Sequence, residues 1–224
     1  MSDEGETTDF LYPMIDGTEE AGDIGGLLGD LSRSAAGKAE VSRTLTSTTL
    51  AVLDEDLDAT AAAMAARFEA GGRLFTCGNG GSATDAEGVA SLFSLPPPGA
   101  RPLAARSLVA DVSILTALSN DIGFEVVYAR QLMAHGRKQD MVMGFSTSGN
   151  SANVIAAFER ASEVGMLTVG LAGNEGGAMA DCDALERCLV VRSDSVHRIQ
   201  EAQSAMAHEL WARIQRHLAD RIVA

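Results

Sequence analysis

Four hydroxyl side chains crowd into one short stretch, Ser146, Thr147, Ser148 and Ser151, with Gly149 and Asn150 between them. Hydroxyls and backbone N–H groups presented together are donors for an anion, and a glycine lets the backbone approach one closely. The run before the stretch, residues 140–145, is short, apolar and of strand type. The run after it, residues 152–158, carries apolar residues at helical spacing. Strand, hydroxyl-rich turn and helix together make an anion seat, because the first N–H groups of the helix and its positive dipole end aim at the turn. No Lys follows as it does in the G-x-x-x-x-G-K-[ST] loop that holds triphosphates, so the seat suits a single phosphate. Taken alone the stretch also fits an ordinary capped turn, since Ser and Thr are common helix caps.

A second turn of the same kind decides between these readings. Gly78, Asn79, Gly80, Gly81 and Ser82 follow a strand-like run at 73–77 and precede a helix of small residues at 83–93, which stops at Pro96, Pro97 and Pro98. In a doubly wound parallel sheet both turns lie on the carboxyl edge and converge at the topological switch point. Two such turns point to one shared site for a phosphate and sugar hydroxyls. Asn120 and Asp121, at a break over 119–123, can reach the same edge, where an amide and a carboxylate suit a polyol. Gly78-x-Gly80-x-x-Ala83 also satisfies the dinucleotide-binding pattern, with Asp111 as its candidate ribose ligand. That reading leaves the 146–151 turn without a role and too little chain for its other half and a substrate domain.

The elements that must position these turns can be read from periodicity. Apolar residues Val41, Leu45, Leu50, Leu53, Leu57, Met64 and Phe68 recur at three and four over residues 39–70, predicting one long helix or two with a break at 54–56. Strands are predicted at 73–77, 107–109, 140–145, 166–171 and 187–191, and helices at 83–93, 112–118, 124–134, 151–164, 176–179 and 196–222. Five short strands alternating with helices mean an α/β three-layer sandwich, a five-stranded parallel sheet covered on both faces. The predicted division is an acidic, flexible arm over 1–38, with an apolar knot at 10–15 that can dock on a protein partner, and one domain over 39–224.

Composition narrows the class. The chain has 224 residues and a formal charge of −14, from 17 Lys and Arg against 31 Asp and Glu, which argues against nucleic acid as a direct ligand. One phosphate remains compatible, since local amides outweigh distant screened charge at contact range. No apolar run approaches the roughly 18 residues of a membrane span. The acidic beginning does not resemble a signal or transit peptide, so a cytoplasmic location is expected. Three cysteines without C-x-x-C spacing indicate neither a disulfide framework nor a cysteine zinc site.

Asn79-Gly80-Gly81-Ser82, Ser119-Asn120-Asp121, the stretch 146–154 and Arg198-Ile199-Gln200-Glu201 resemble the sugar-isomerase (SIS) domain, in order and at near-identical spacing over about residues 40–222. The branch most similar is the phosphoheptose isomerases, which interconvert sedoheptulose 7-phosphate and glycero-manno-heptose 7-phosphate. The resemblance implies a flavodoxin-like sheet, a long N-terminal helix used in assembly, and a homotetramer with sites between subunits. It places the phosphate on Ser146, Thr147, Ser148 and Ser151. Sugar contacts fall on Asn79, Gly80, Gly81, Ser82, Asn120, Asp121 and Gln200, and His208 takes the place of the catalytic histidine.

One part of the pattern is missing. Aldose–ketose interconversion needs a base near carbon and an acid near oxygen. The resembling enzymes carry a His and a Glu on the helix after the first turn; with Gln and His from the closing helix these bind zinc, and the Glu is the base. Here the two positions are Gly88 and Leu92, so no metal is expected. Glu87, Asp85 and His197 are the available substitutes, and Glu87 with His208 is the candidate catalytic pair. Glu87 lies about 100° around the helix from Gly88, and His197 lies roughly 16 Å along the axis from His208. Two readings follow: an isomerase with a rearranged base, or a non-catalytic sugar-phosphate binder or adaptor resembling the replication-initiator-associating branch.

Overall fold

The computed structural model describes residues 24–220. Contacts divide the chain into a unit at Met1–Glu40 and a compact unit at Val41–Ala224. Helix α1 covers Ile24–Val52 and so begins well before residue 39. The apolar knot at 10–15 lies outside the described residues. Of the two alternatives, two helices form, but the break falls at Leu53: α2 (Asp54–Glu69) has Asp54, Glu55 and Asp56 in its first turn, where acids suit the helix dipole. The elements that follow are β1 (Leu74–Gly78), α3 (Gly81–Ser94), β2 (Ala105–Ser107), α4 (Val112–Asp121), a 3₁₀ turn (Phe124–Val126) and α5 (Val127–His135). The chain then runs through β3 (Met141–Ser146), α6 (Ala152–Val164), β4 (Leu167–Gly173), α7 (Gly177–Ala180), β5 (Arg187–Val191) and α8 (Val196–Asp220).

The five strands are parallel in the order β2-β1-β3-β4-β5. Chain order reverses between β1 and β3, and Gly78 at the end of β1 pairs with Phe145 near the end of β3. The loops leaving these strands therefore start side by side, which is where doubly wound sheets bind ligands.

The residues of the central strands β1, β3 and β4 are buried on both faces, so the sequence there shows apolar runs rather than alternation with polar residues. Leu74, Met143, Phe145 and Leu171 face a core completed by Met64, Phe93, Met206 and Leu210 from α2, α3 and α8. Phe75, Cys77 and Val142 face the opposite core with Tyr128, Leu132, Val154 and Phe158 from α5 and α6. α6 sits directly on Gly144, where a Cβ would come within 2.6 Å of Phe158 and Val154.

Strand β2 is displaced from its predicted span of 107–109. The register runs from Leu74↔Ala105 to Thr76↔Ser107, and the apolar pair Leu108 and Val109 leaves the sheet to bury its side chains in the second core. Burial gave those residues strand character in the sequence, whereas an edge strand needs only backbone pairing. Helix α4 runs through Asn120 and Asp121 instead of breaking before them. Asp111, the candidate ribose ligand, caps this helix through a hydrogen bond from the Ile114 N–H at 3.0 Å.

Candidate functional site

The first turn is held open by its own residues. Gly80 has φ +56° and ψ −123°, and α3 begins at the next residue. The Ser82 N–H donates to the Asn79 carbonyl at 3.0 Å, and the Ser82 side chain turns inward, 4 % exposed, against Gly78. Asn79 is fixed from α6: its amide donates to Asn153 Oδ1 at 2.8 Å and accepts from Asn153 Nδ2 at 2.9 Å. The buried Tyr128 hydroxyl donates to the Gly78 carbonyl and stands 3.3 Å from Asn79 Oδ1. Burial and the neighbouring Cys77 raise the Tyr128 pKa, keeping that hydroxyl a donor.

The second turn gathers hydroxyls. Ser146 Oγ lies 2.9 Å from Ser151 Oγ and 3.5 Å from Ser148 Oγ, and the Asn150 N–H donates to Ser148 Oγ at 3.1 Å. Ser151 is the N-cap residue of α6, yet its side chain makes no capping bond, so its hydroxyl stays with the cluster. The turn is braced from α7. The Met179 N–H donates to the Gly149 carbonyl at 2.9 Å, and the Ala178 N–H donates to Asn150 Oδ1 at 2.8 Å. Gly149 has φ +68°, and a Cβ there would lie 1.9 Å from the Gly176 carbonyl oxygen.

Helix α8 spans both turns. Gln200 lies over the start of α3, its Nε2 only 2.1 Å from where a Cβ on Gly81 would be, so a side chain there would displace the end of Gln200. Gln203, fully buried, donates to the Leu171 carbonyl at 2.9 Å and to the Ser146 carbonyl at 3.4 Å, anchoring α8 to the ends of β3 and β4. Further along, exposed His208 binds the Ser204 carbonyl through Nδ1 at 2.8 Å.

Not all of the predicted site residues come together. Asn79, Gly80, Gly81 and Gln200 converge at one turn, and Ser146, Thr147, Ser148 and Ser151 form the neighbouring one. Asn120 and Asp121 are exposed at the end of α4 and bond to each other at 2.8 Å. Glu87 is exposed on α3 and lines a depression with Ser91, Arg106 and Ser107, beside β2. His197 is exposed in the first turn of α8.

Asp85, on the same helix as Glu87, is half-buried with its Oδ2 enclosed. Burial raises its pKa, and the charge of His208 partly offsets the rise. Asn153 and Tyr128 were not predicted as site residues. The signal for Asn153 was its place two residues after the last hydroxyl; Tyr128 carried none.

The zinc donor set fails a direct test. Gly88 is exposed with nothing within 4 Å of a Cβ, Leu92 is half-buried, and neither offers a donor atom. Among the described residues no group of three or more His, Cys, Asp or Glu side chains is placed to hold a metal ion. The residues present do not fit the four-ligand zinc site.

The SIS domain family profile matches residues 39–173. The phosphoheptose isomerase of Helicobacter pylori strain P12 is 46 % identical over 154 residues, covering 67 % of this chain and 78 % of that protein. That of Roseiflexus sp. strain RS-1 is 48 % identical over 152 residues, covering 67 % and 76 %. Among solved structures, phosphoheptose isomerase from Neisseria gonorrhoeae superposes with a TM-score of 0.76 at 37 % identity, over 83 % of this chain and 98 % of that one. The enzyme from Francisella tularensis gives 0.76 at 31 % identity, over 82 % and 97 %.

Proposed function

Since the chain belongs to the SIS domain family, we propose that it binds a sugar phosphate and interconverts aldose and ketose forms as a phosphoheptose isomerase-like enzyme with an altered metal and base site. The phosphate sits on Ser146, Thr147, Ser148 and Ser151. The sugar lies against Asn79, Gly80, Gly81 and Gln200, the residues that converge at the first turn. The observation that carries this reading is the pairing of Gly78 with Phe145, which puts a hydroxyl cluster and an amide-lined turn side by side at the switch point. Neutral donors at a helix N-terminus hold one phosphate without any lysine.

A homotetramer accompanies this reading. Exposed Val112, Ile122, Phe124 and Met133 leave apolar surface on and around α4 and α5 for a second copy. Sedimentation of the full chain measures the assembly.

Gly88 and Leu92 favour a second reading, in which the pocket binds its sugar without converting it and the acidic arm meets a protein partner. Calorimetric titration with sedoheptulose 7-phosphate, beside sedoheptulose and inorganic phosphate, tests binding. NMR of the same mixture for heptose 7-phosphate tests conversion. Binding of the phosphorylated sugar with product formed supports the isomerase. Binding without product favours the second reading, and no binding removes both.

A further inference from the structure

Beside the amino ends of β1 and β2 lies a cavity of about 370 Å³ whose walls include Arg73, Phe75, Pro102, Leu103, Arg106 and His135. Strands rise about 3.3 Å per residue, so Arg73 stands roughly 20 Å along the chain from Asn79, and the cavity is separate from the two turns. No Asp or Glu lines it, although the chain carries a formal charge of −14. Phe75 and Arg106 are partners in the β1–β2 register, so their side chains leave the same face of the sheet. Arg73 is locked in place. Its Nε and Nη2 donate to the buried Asp140 carboxylate at 3.3 and 2.7 Å, and Nη2 also donates to the His135 carbonyl at 2.6 Å. The guanidinium lies over the Phe75 ring, 5.2 Å from its centroid, and 36 % of the side chain stays exposed. Asp140 balances the Arg73 charge, while Nη1 makes no hydrogen bond among the described residues. Arg106 is exposed and has no hydrogen-bond or ion-pair partner among the described residues, Glu87 of the neighbouring depression included.

We propose that this cavity is a binding site for a small organic oxyanion, a carboxylate or phosphate carried on a flat apolar ring. Arg106 supplies the unbalanced charge, the free Nη1 of Arg73 a further donor, and the His135 ring a third. A guanidinium fork matches two oxygens of either anion. The ring has two surfaces to lie on. One is the guanidinium plane of Arg73, which Asp140 and Phe75 hold flat, and the other is the apolar wall of Pro102 and Leu103. A mostly apolar lining with a few convergent polar groups is the usual make-up of a small-ligand site, and about 300–1,000 Å³ its usual size. An inorganic ion would leave the apolar wall uncovered, and an uncharged ring would leave Arg106 unpaired. A molecule with both parts satisfies both. The inference stands apart from the phosphosugar reading, whose seat lies at the carboxyl edge of the sheet.

The test is calorimetric titration of the full-length protein with benzoate and with phenyl phosphate, beside phenol and inorganic phosphate. Binding of at least one of the two ring oxyanions is expected, and which of them binds tells whether the site takes a carboxylate or a phosphate. Arg106→Gln is the variant to use, because this exposed side chain has no partner to lose. Arg73→Gln would instead strip the buried Asp140 of its ion pair and mix binding with stability. Arg106→Gln is expected to weaken binding about tenfold or more, the scale of a lost hydrogen bond to a charged group, with the melting temperature unchanged. Ser148→Ala combined with Ser151→Ala is expected to leave this binding as it is. The proposal is overturned if neither ring oxyanion binds at millimolar concentration, or if Arg106→Gln binds like the wild type. It is also overturned if phenol or inorganic phosphate binds there as tightly, or if the serine variant rather than Arg106→Gln abolishes binding.

Discussion

Asn79 and Asn153 hold each other by a reciprocal pair of amide hydrogen bonds at 2.8 and 2.9 Å, joining the turn after β1 to the first turn of α6. One residue belongs to the amide-lined turn and the other to the helix that follows the hydroxyl turn. The pair fixes the spacing between the two halves. Asn153 is only 3 % exposed, so its partner cannot be replaced by bulk water. Asn153→Ala leaves the Asn79 amide half satisfied and is expected to cost about 1–3 kcal/mol of stability. Chemical denaturation measures that loss, and calorimetry with sedoheptulose 7-phosphate is expected to show weaker binding. Unchanged values in both would remove the coupling between the turns.

The hydroxyl cluster can be tested without disturbing the core. Ser148→Ala combined with Ser151→Ala removes two donors from the anion seat while leaving buried Ser146 in place. Ser151 makes no capping bond, so the helix loses little. The expected outcome is a fall in phosphosugar affinity of roughly tenfold or more, at about one net hydrogen bond's worth per hydroxyl, with the melting temperature nearly unchanged. Unaltered affinity would place the phosphate elsewhere.

Gly149 is a position where geometry forbids a side chain on two grounds. Its φ of +68° disfavours any L residue, and a Cβ would meet the Gly176 carbonyl at 1.9 Å. Gly149→Ala must push the turn off α7, breaking the Met179 bond to the Gly149 carbonyl. A loss of about 1–3 kcal/mol is expected, together with weakened sugar binding. A soluble Ala variant with wild-type melting and affinity would show that the brace on α7 has no role in shaping the turn.

These turns also show what could be read from the residues alone. Residues 140–158 announced strand, hydroxyl turn and helix because apolar period and turn chemistry change at the same place. The resemblance carried the rest of the SIS fold through motif order. The position of β2 was not legible, because burial of Leu108 and Val109 mimics strand composition while backbone pairing at Ala105–Ser107 leaves no side-chain trace. Asp85 was separable from Glu87 only once the fold was in place. Both acids lie on α3, and which of them is enclosed depends on packing against elements far apart in sequence.

Asp85 makes stability depend on pH in a defined direction. Burial raises its folded-state pKa above the ordinary value of 3.8, with His208 opposing the shift, so the folded protein binds this proton more tightly than the unfolded chain. Its contribution is fully present below the unfolded pKa and is lost as pH rises through the folded one. Asp85→Asn removes that dependence. Melting temperatures measured from pH 3 upward, roughly the start of carboxyl titration, are expected to show the Asn variant gaining on the wild type as pH rises. Parallel curves would mean that burial does not penalise this carboxylate.

The open space beside Gly88 leads to the last prediction. A Cβ there meets nothing within 4 Å, and Leu92 follows one turn later on the stripe that carries Asp85. Gly88→His with Leu92→Glu therefore introduces two donors on the stripe of α3 whose start lies under Gln200, without a clash at the first position. Imidazole and carboxylate ligands suit zinc, and four ligands complete its preferred tetrahedron. After exposure to zinc and exhaustive dialysis, the double variant is expected to retain about one ion per subunit, measured by elemental analysis, while the wild type retains none. The bound ion is also expected to raise the melting temperature, since it binds only the folded chain. Should the double variant emerge free of zinc, the stripe of α3 does not face Gln200 and His208 closely enough to share a ligand.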